Sequence, residues 1–588
     1  MSKLQLFSRT DRLLKKEFLH YFFPAMLTAA AFSLSEFVDA MIVANILDSR
    51  AMAIVQLGSP VMMVAGGIYI LLGCGGSTLY AISLGQRDRD RAGRILSAAT
   101  AASIVVGVLI TALGLVFFDQ VSRLICTEAE LIDDFSSYLR VLLISMPFLI
   151  AVLTLVSFLP PAGSPGMATA VNVIANVVNI GMDVVYIKVF GMGAEGAAWA
   201  TVTGYAVGAL ALLGAILMKK VKLRFGLPRL KDAPLLWETV VTGAPFSVSQ
   251  IGYAIKFAVS GRLAQRWGGT AGMESFSLCI QVLSIVGSIL MTAILEASVP
   301  IMAFLHGQRD HQGERLVYRN AFLMELLTGI VGAAVFFIFA KQTAALYNIT
   351  DPGAVGLAVR SLRIFVPYIV ARGVFVTLQK QAQVLGKKVY PLFMSLFDGV
   401  LCILPLCFLF TELMGIDGLF LAYSVTGALS LLICLVWNRI LVKRSSGRLY
   451  GLLLYEKETE SDVVMDATVT NSAEDISKIS AELQKRCLEL GMDGKKALRA
   501  ALLVEEMGIF IMNRMQKKAY MDVLLRSYED RIEIDFRTIG GEEDPNGKDE
   551  ANTDMNVDEN VRILRGIASE IKYDYVMGMN CTEIVLKK

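Results

Sequence analysis

Two copies of one short stretch, Gly85-Gln86-Arg87-Asp88 and Gly307-Gln308-Arg309-Asp310, lie 222 positions apart in this chain. Each copy follows a long apolar run. Further landmarks repeat at nearly the same offset, namely Pro24 with Pro245, Pro147 with Pro367, and the pair Gly193 and Gly196 with Gly415 and Gly418. A shared offset at several independent positions predicts an internal duplication, with two similar halves in the same orientation.

Each half contains six apolar runs of the length that a membrane-spanning helix needs, about 20 residues. We predict spans at 18–44, 53–85, 95–118, 138–160, 167–190, 196–218, 242–266, 273–305, 317–340, 361–385, 389–412 and 416–438. The 588 residues are 55% hydrophobic and 18% charged, which excludes a soluble enzyme, a disordered chain or a nucleic-acid binder for the whole. The predicted fold is a polytopic α-helical membrane protein with twelve transmembrane helices in two six-helix lobes, a parallel repeat, plus a C-terminal cytoplasmic α/β sandwich domain.

Charge divides the chain into two parts. Residues 1–455 carry an excess of about 11 positive charges, and residues 456–588 an excess of about 9 negative charges. Basic residues cluster in alternate connections, which predicts cytoplasmic termini. The predicted segments are a cytoplasmic N-terminus (1–16), an N-lobe (17–220), a cytoplasmic inter-lobe linker (221–241), a C-lobe (242–440), a second linker (441–464) and a cytoplasmic domain (465–588).

Polar side chains at membrane depth are energetically costly, so they are candidates for function. Asn172, Asn176, Asn179 and Asp183 follow at intervals of 4, 3 and 4, which places them on one face of span 5. Oxygen ligands suit a hard cation, and desolvated carboxylates bind a proton more tightly. The alternative is interhelical hydrogen bonding that packs the helices. The N-lobe candidates are Glu36, Asp39, Asn176, Asn179, Asp183 and Thr201.

The second half carries charged candidates of its own: Lys256, Glu296, Arg372 and Asp398. The duplication places Asp398 opposite Asn176. We expect Glu296 to form a buried salt bridge with Arg372 or Lys256. Parallel halves of this kind suit a secondary transporter that holds its substrate near the midplane between two lobes. These four residues are therefore candidates for ion coupling or substrate contact, with a structural pair as the alternative.

Several motifs match those of a known transporter family. They are Pro24, Phe37 to Val43, Leu84 to Arg91, Asn179 to Asp183, Gly191 to Thr201, Gly243 to Pro245, Gln383 to Lys387, and Gly415 to Gly418. Over about residues 15–440 the chain resembles the MATE (multidrug and toxic compound extrusion) family. It departs from the family in the uncharged loop Pro160 to Pro165 and in Asp398, where many members have a basic residue.

The resemblance implies an antiporter that exports organic cations in exchange for H⁺ or Na⁺ by alternating access. It implies a coupling site at Asp39, Asn179, Asp183 and Thr201, with Asp39, Asn179 and Asp183 as ligands for Na⁺. No cofactor beyond the coupling ion is expected, and the location is the bacterial cytoplasmic membrane. Related transporters flip lipid-linked sugars, and the cationic Lys256 and Arg372 keep that alternative open.

Residues 465–588 have a mixed α/β pattern. Periodicity predicts helices over 473–490, 495–514 and 560–572, and strands over 523–528, 531–536 and 582–586. With Leu502 to Phe510 and Arg537 to Pro545 at two family boxes, the order resembles the histidine-kinase-like ATPase fold of anti-sigma-factor kinases. The resemblance places nucleotide-site positions at Glu506, Phe510, Thr538 and Gly540. Phe510 and Thr538 replace the magnesium-binding asparagine and the adenine-reading aspartate, so we expect neither ATP binding nor kinase activity.

Together these patterns predict a transporter, not an enzyme. The expected partners are the lipid bilayer, a small organic cation and a cytoplasmic regulatory protein that binds at 465–588, with no nucleic acid. The alternative from another class is a membrane sensor whose tail captures a signalling partner.

Overall fold

The architecture comes from a computed structural model of the chain. It describes residues 9–46, 54–55, 57–126, 130–221, 223, 225–226, 232–347, 349, 351–457, 462–489, 491–514, 519–545 and 555–587. For residues 36–46, 288, 462 and 555–559 only the backbone is described.

Long apolar helices lie at each of the predicted spans, with ends that differ from the predicted ends by several residues. In the described ranges, eleven helical runs are long and apolar enough to cross a membrane. They are Arg12–Ile46, Ser59–Gly85, Arg89–Val116, Ile132–Val156, Pro165–Val189, Gly193–Leu217, Ala233–Gly307, His311–Ile338, Pro352–Val384, Val389–Met414 and Ile416–Arg444.

The run Ala233–Gly307 contains two of the predicted spans. Gly269 has φ 58° and ψ −143°, which is not helical and which suits glycine. The chain folds back at Gly269. As evidence of this, the rings of Phe257 and Phe276, on either side of the turn, lie 5.6 Å apart. We therefore number the spans 1 to 12, with span 7 before Gly269 and span 8 after it.

The duplication is visible at the level of single hydrogen bonds. In the N-lobe, the Thr169 hydroxyl of span 5 donates to the Pro24 carbonyl of span 1, at 2.8 Å. In the C-lobe, the Ser395 hydroxyl of span 11 donates in the same way to the Pro245 carbonyl of span 7. Short helices also repeat after spans 3 and 9, at Phe118–Ile125 and Ala340–Leu346.

Within the described part of the chain, four spans contain a wider, π-helical turn, and these spans correspond between the lobes. The segments are Ile70–Cys74 in span 2, Val184–Val189 in span 5, Ile285–Met291 in span 8 and Phe397–Leu401 in span 11. Such turns interrupt the regular ladder and occur often at functional sites. Two of them begin beside or contain candidate residues, Asp183 and Asp398.

The tail after span 12 begins with a short hairpin, β1 (Leu449–Tyr450) and β2 (Tyr455–Glu456). It continues with an antiparallel five-stranded sheet in the order β3-β4-β5-β7-β6. The strands are β3 (Asp462–Thr470), β4 (Tyr520–Ser527), β5 (Arg531–Ile539), β6 (Glu570–Val576) and β7 (Met579–Lys587). Tail helices 1 (Ala473–Glu489), 2 (Gly494–Arg514) and 3 (Met555–Ile567) complete the unit.

The end of the tail differs from the prediction. A helix over 560–572 was expected, but the helix ends at Ile567 and residues 570–576 form the edge strand β6. Met577 and Gly578 both have positive φ, 57° and 73°, as a tight hairpin turn requires, and they connect β6 to β7. The last unit is therefore a hairpin rather than a helix followed by a strand.

The two faces of the tail sheet have different partners. Apolar side chains such as Val523, Leu525 and Ile534 face the tail helices and form the core of the unit. The intervening side chains, such as Asp522, Arg526 and Arg537, face the membrane part and are almost fully buried there. Alternation along each strand thus directs a charged face toward the transporter.

Candidate ion-coupling and substrate sites

Polar side chains of spans 5 and 6 form the N-lobe site. The Asn179 amide donates a hydrogen bond of 3.4 Å to the Thr201 hydroxyl. The two helices approach closely at Gly204, where an added Cβ would lie 2.4 Å from the Ala175 carbonyl oxygen and 3.0 Å from Asn179 Cβ. Glycine at this position therefore brings span 6 against the asparagine face of span 5.

Asp183 lies one turn beyond Asn179 and is fully buried, with 0% of its surface exposed. The π-helical turn Val184–Val189 begins immediately after it. A carboxylate removed from water requires a proton, a cation or hydrogen-bond donors. Asp183 is thus a buried carboxylate one helical turn from the Asn179–Thr201 pair, and it remains a candidate for ion coupling.

Two of the predicted N-lobe carboxylates cannot be placed around this site. Glu36 and Asp39 belong to the helix Arg12–Ile46, but their side chains lie outside the described residues. Asn176 precedes Asn179 on span 5 and is partly buried. Among the described N-lobe candidates, Asn179 and Thr201 form a hydrogen bond, and Asn176 and Asp183 lie on the same helix as Asn179.

A buried charge cluster lies in the C-lobe. Asp398 Oδ2 is 3.3 Å from Lys256 Nζ and 3.1 Å from Arg372 Nη1. Tyr368 joins them, because its hydroxyl accepts a 2.8 Å hydrogen bond from Lys256 Nζ. Lys256 also lies 5.7 Å from the centre of the Tyr423 ring. The Asp398 carboxylate thus forms ion pairs with two cations, and Tyr368 and Tyr423 lie against Lys256.

This arrangement corrects the predicted pairing of Glu296 with Lys256 or Arg372. Both cations instead contact Asp398, which lies in the same lobe and on the adjacent span 11. Glu296, on span 8, interacts electrostatically with Lys380. The sequence could not distinguish these partners, because the pairing depends on how spans 7, 8, 10 and 11 are rotated against one another.

The lobes touch at the two copies of the Gly-Gln-Arg-Asp stretch. An added Cβ on Gly85 would lie 2.1 Å from the Phe304 carbonyl oxygen and 2.9 Å from Gly307 Cα. Arg87 and Arg309 share the same left-handed backbone, with φ 61° and 57°. The aspartate that ends each copy, Asp88 or Asp310, caps the next helix. Each copy thus forms a turn and a helix cap, and its glycine packs against the glycine of the other copy where the two lobes meet.

The tail binds both of these turns. Arg87 of the N-lobe turn lies 3.5 Å from Glu583 and 3.8 Å from Asp574 of the tail sheet. Asp310 of the C-lobe turn accepts a 2.8 Å bond from Arg537. Arg526 donates bonds of 3.1 Å to the backbone carbonyls of Gln308 and Arg309. The sheet therefore bridges the two lobes at the end of the molecule where they meet.

Arg9 is the central residue of this interface. Its guanidinium lies 2.9 Å from Asp310, 2.8 Å from Asp466 and 3.0 Å from Asp522. Burial opposes charge on Asp310, but the guanidiniums of Arg9 and Arg537 outweigh that effect and lower its pKa. Sequence analysis missed Arg9, Asp310, Arg526 and Arg537, although the duplicated turn and the alternating charges of β4 and β5 were visible signals.

Two of the four tail positions matched to a nucleotide site are buried, and the other two are partly exposed. Phe510 and Thr538 are 2% and 3% exposed. The Gly540 carbonyl accepts a bond from the Tyr575 hydroxyl, and its N–H faces the Gly578 carbonyl at 3.3 Å. Glu506 lies on tail helix 2. Phe510 is part of the apolar core between tail helix 2 and the sheet, and the absence of nucleotide binding stays a prediction.

Comparisons with known proteins place the membrane part in a family. The MatE family model matches residues 24–185 and 245–409, more than half of the chain. Multidrug export protein MepA of Staphylococcus haemolyticus is 22% identical over 453 residues, covering 76% of this chain and 99% of that protein. MepA of Staphylococcus aureus is 23% identical over 441 residues, covering 73% and 96%.

Solved structures show the same fold. A multidrug resistance MATE family transporter of the MOP superfamily in an outward-facing conformation has a TM-score of 0.66 at 21% identity, covering 74% of this chain and 97% of that one. A MOP superfamily transporter from Pyrococcus furiosus has the same score, identity and coverage. The family match spans both lobes and includes the site on span 5, so this chain belongs to the MatE family of membrane transporters.

Proposed function

We propose that this chain exports organic cations across a bacterial cytoplasmic membrane in exchange for H⁺ or Na⁺. The observation that carries the proposal is the fully buried Asp183, aligned with the Asn179–Thr201 pair in a MatE-family lobe. Support also comes from the MepA relatives, which are named as multidrug export proteins. Asp39 is a proposed ligand of the same ion.

Coupling follows from differential affinity. A proton or Na⁺ at Asp183 neutralises a buried carboxylate and stabilises the lobe conformation that encloses it, whereas the organic cation stabilises the other. Neither ligand can drive the change unless it binds the two conformations differently. The π-helical turn after Asp183 is the element of span 5 in which we expect the backbone to respond.

The test is efflux of a fluorescent organic cation from proteoliposomes under an imposed proton or sodium gradient. We expect Asp183→Asn and Asp39→Asn to reduce gradient-driven efflux at least tenfold, because neither amide can carry the exchanged charge. Glu195→Gln is the matched control, since Glu195 is a carboxylate at the start of span 6 that bonds only to Trp199 in the described contacts. Efflux by Asp183→Asn at the control rate would contradict the proposed site.

The tail is proposed to regulate transport by holding the cytoplasmic ends of the lobes together. An inward-facing state requires the contact between Gly85 and Gly307 to open. The tail sheet spans that contact, with Arg87 on one side and Asp310 on the other. Its release, by a cytoplasmic regulatory protein bound to residues 465–588, would permit inward opening, and no bound ATP is required.

Arg537→Gln tests the regulatory proposal. We expect faster transport and a larger distance between spin labels on the cytoplasmic ends of spans 3 and 9, because the bond to Asp310 is lost. Arg531→Gln is the control, since it changes the same residue type on the same strand, where Arg531 pairs with Glu533. Identical rates and distances in the two variants would exclude regulation through this contact.

A sensor is the second candidate function. The tail contacts both lobes, so a ligand that moves the lobes would also move the tail, without net transport. Ligand-dependent tail release in protein that shows no gradient-driven efflux would favour the sensor. The flippase is less favoured, because Lys256 and Arg372 both contact Asp398 instead of forming an open cationic surface.

A further inference from the structure

A cluster of imidazole and carboxylate groups lies outside the transport site, beside the C-lobe turn. His306 is in the last turn of span 8, His311 begins span 9, and Glu456 belongs to β2 of the short tail hairpin. One ligand atom from each residue lies within 4.8 Å of the other two. Three separate segments thus converge on one point.

The distances suit a small tetrahedral metal ion. Glu456 Oε2 lies 3.6 Å from His306 Nδ1 and 3.7 Å from His311 Nδ1. In a tetrahedral zinc site with metal–ligand bonds of about 2.0–2.2 Å, neighbouring ligand atoms are about 3.3–3.6 Å apart. Two of the three ligand-to-ligand distances are therefore close to those of a tetrahedral site, and the third, between the two histidines, is at most 4.8 Å.

The charges around the cluster also favour a cation. Glu314 Oε2 lies 3.1 Å from His306 Nδ1, so two carboxylates face one imidazole. Both carboxylates are nearly buried, with side chains 3% and 8% exposed. Arg448 Nε contacts Oε1 of Glu456 at 2.7 Å, whereas Oε2 is the oxygen that lies near the two histidines. With neutral imidazoles, two carboxylates and one arginine leave a net negative charge.

We propose that His306, His311 and Glu456 bind a transition-metal ion, with Zn²⁺ as the best match. Imidazole ligands favour zinc and its neighbours over Ca²⁺ and Mg²⁺, which prefer oxygen ligands. Glu314 or a water molecule completes the coordination. The bound ion joins the β1–β2 hairpin to the connection between spans 8 and 9, next to Asp310, and so fastens the tail to the C-lobe.

Metal binding is tested on the full-length protein in detergent after treatment with a chelator. We expect titration calorimetry with Zn²⁺ to give one site per chain, and Co²⁺ to give the visible absorption of four-coordinate cobalt. His311→Gln and Glu456→Gln should each weaken Zn²⁺ binding at least tenfold. Size-exclusion profiles without metal identify any variant that has not folded, in which case the other variant is used.

His20→Gln is the matched control, because His20 in span 1 is the remaining histidine of the three in the chain and lies outside the proposed site. It should bind Zn²⁺ as the original protein does, and Zn²⁺ should raise the thermal midpoint of both. Failure of the original protein to bind Zn²⁺ would overturn the proposal, as would equal binding by His20→Gln and His311→Gln. Efflux plays no part in this test, so its result is separate from the transport proposal.

Discussion

Asp398 shows how one residue can organise a buried site. Its carboxylate contacts Lys256 and Arg372, so the three side chains carry one net positive charge inside the C-lobe. The loss of one partner from such a cluster is costly, because the remaining charges stay buried without compensation. The aspartate is therefore more important for stability than either cation, each of which leaves an ion pair behind when it is removed.

We predict that Asp398→Asn lowers the free energy of unfolding by about 3–5 kcal/mol. Lys256→Met should cost less, since Arg372 still neutralises Asp398. Asp417→Asn is the control: Asp417 pairs with Arg360, whose side chain is 60% exposed, and such surface pairs contribute about 0–1 kcal/mol. Denaturant unfolding in detergent measures all three, and equal losses for Asp398→Asn and Asp417→Asn would contradict this account.

Residue chemistry was predictable from the sequence to a limited degree. The intervals along span 5 correctly indicated that Asn176, Asn179 and Asp183 share a helix face. The partners of Asp398 and Glu296 were not predictable, because the choice depends on how spans 7, 8, 10 and 11 are rotated. Tyr368 was missed for the same reason: nothing local distinguishes it from a packing tyrosine.

At the scale of elements, the ends of spans 2 and 8 pack through glycine. An added Cβ on Gly307 would lie 2.2 Å from the Ile82 carbonyl oxygen and 3.0 Å from Gly85 Cα. Real Cβ atoms do not approach backbone atoms so closely, so even alanine must separate the two helices. This contact makes closure of the two lobes at the tail-bound end depend on two residues without side chains.

We predict that Gly307→Ala shifts the lobes toward the inward-facing state. Cys74, in the π-helical turn of span 2 and only partly buried, reports the change. In inside-out vesicles it should react several-fold faster with an impermeant thiol reagent than it does in the original protein. Gly214→Ala is the control, because a Cβ there meets no atom within 4 Å. Equal reactivity in both variants would contradict the prediction.

Elements were predicted best where periodicity is strong. The apolar runs predicted where the spans lie. The duplicated stretches predicted which span of the N-lobe corresponds to which span of the C-lobe. The prediction for the end of the tail was wrong because the helical pattern was extended to residue 572, although the polar residues Glu570, Lys572 and Asp574 are two positions apart. They alternate along an edge strand instead, and the turn at Met577-Gly578 depends on a positive φ that methionine rarely adopts.

At the scale of the whole molecule, we expect docking of the tail to depend on pH. Burial raises the pKa of Asp535 to about 6, and Glu583 adds to this, while Arg526, Arg87 and Arg537 act in the opposite direction. Burial likewise raises the pKa of Asp466 and of Asp522. Acids with raised pKa values hold protons more tightly in the docked state, so docking is favoured at lower pH.

We predict that the tail is bound more tightly at pH 5.5 than at pH 7.5, and that docking weakens as pH rises through about 6. The lowered pKa of Asp310 has the opposite effect, but only in strongly acidic solution. Hydrogen exchange of β5 and β7 in the full-length protein measures docking. Asp535→Asn should reduce the pH dependence, and Asp530→Asn, on the exposed turn before β5, should leave it unchanged. Slower exchange at pH 7.5 than at pH 5.5, after correction for intrinsic rates, would contradict the prediction.

The uncharged loop Pro160 to Pro165, noted above as unusual, has a consequence for engineering. Gly163 has φ 81°, and an added Cβ there would lie 3.0 Å from Met577 Cα, at the turn between β6 and β7. The loop and the tail turn therefore form a matched pair, and each constrains the residues that the other can have. A chimera that carries this tail on another transporter body would also need this loop. A residue with a side chain at the position of Gly163 would press against the backbone of Met577.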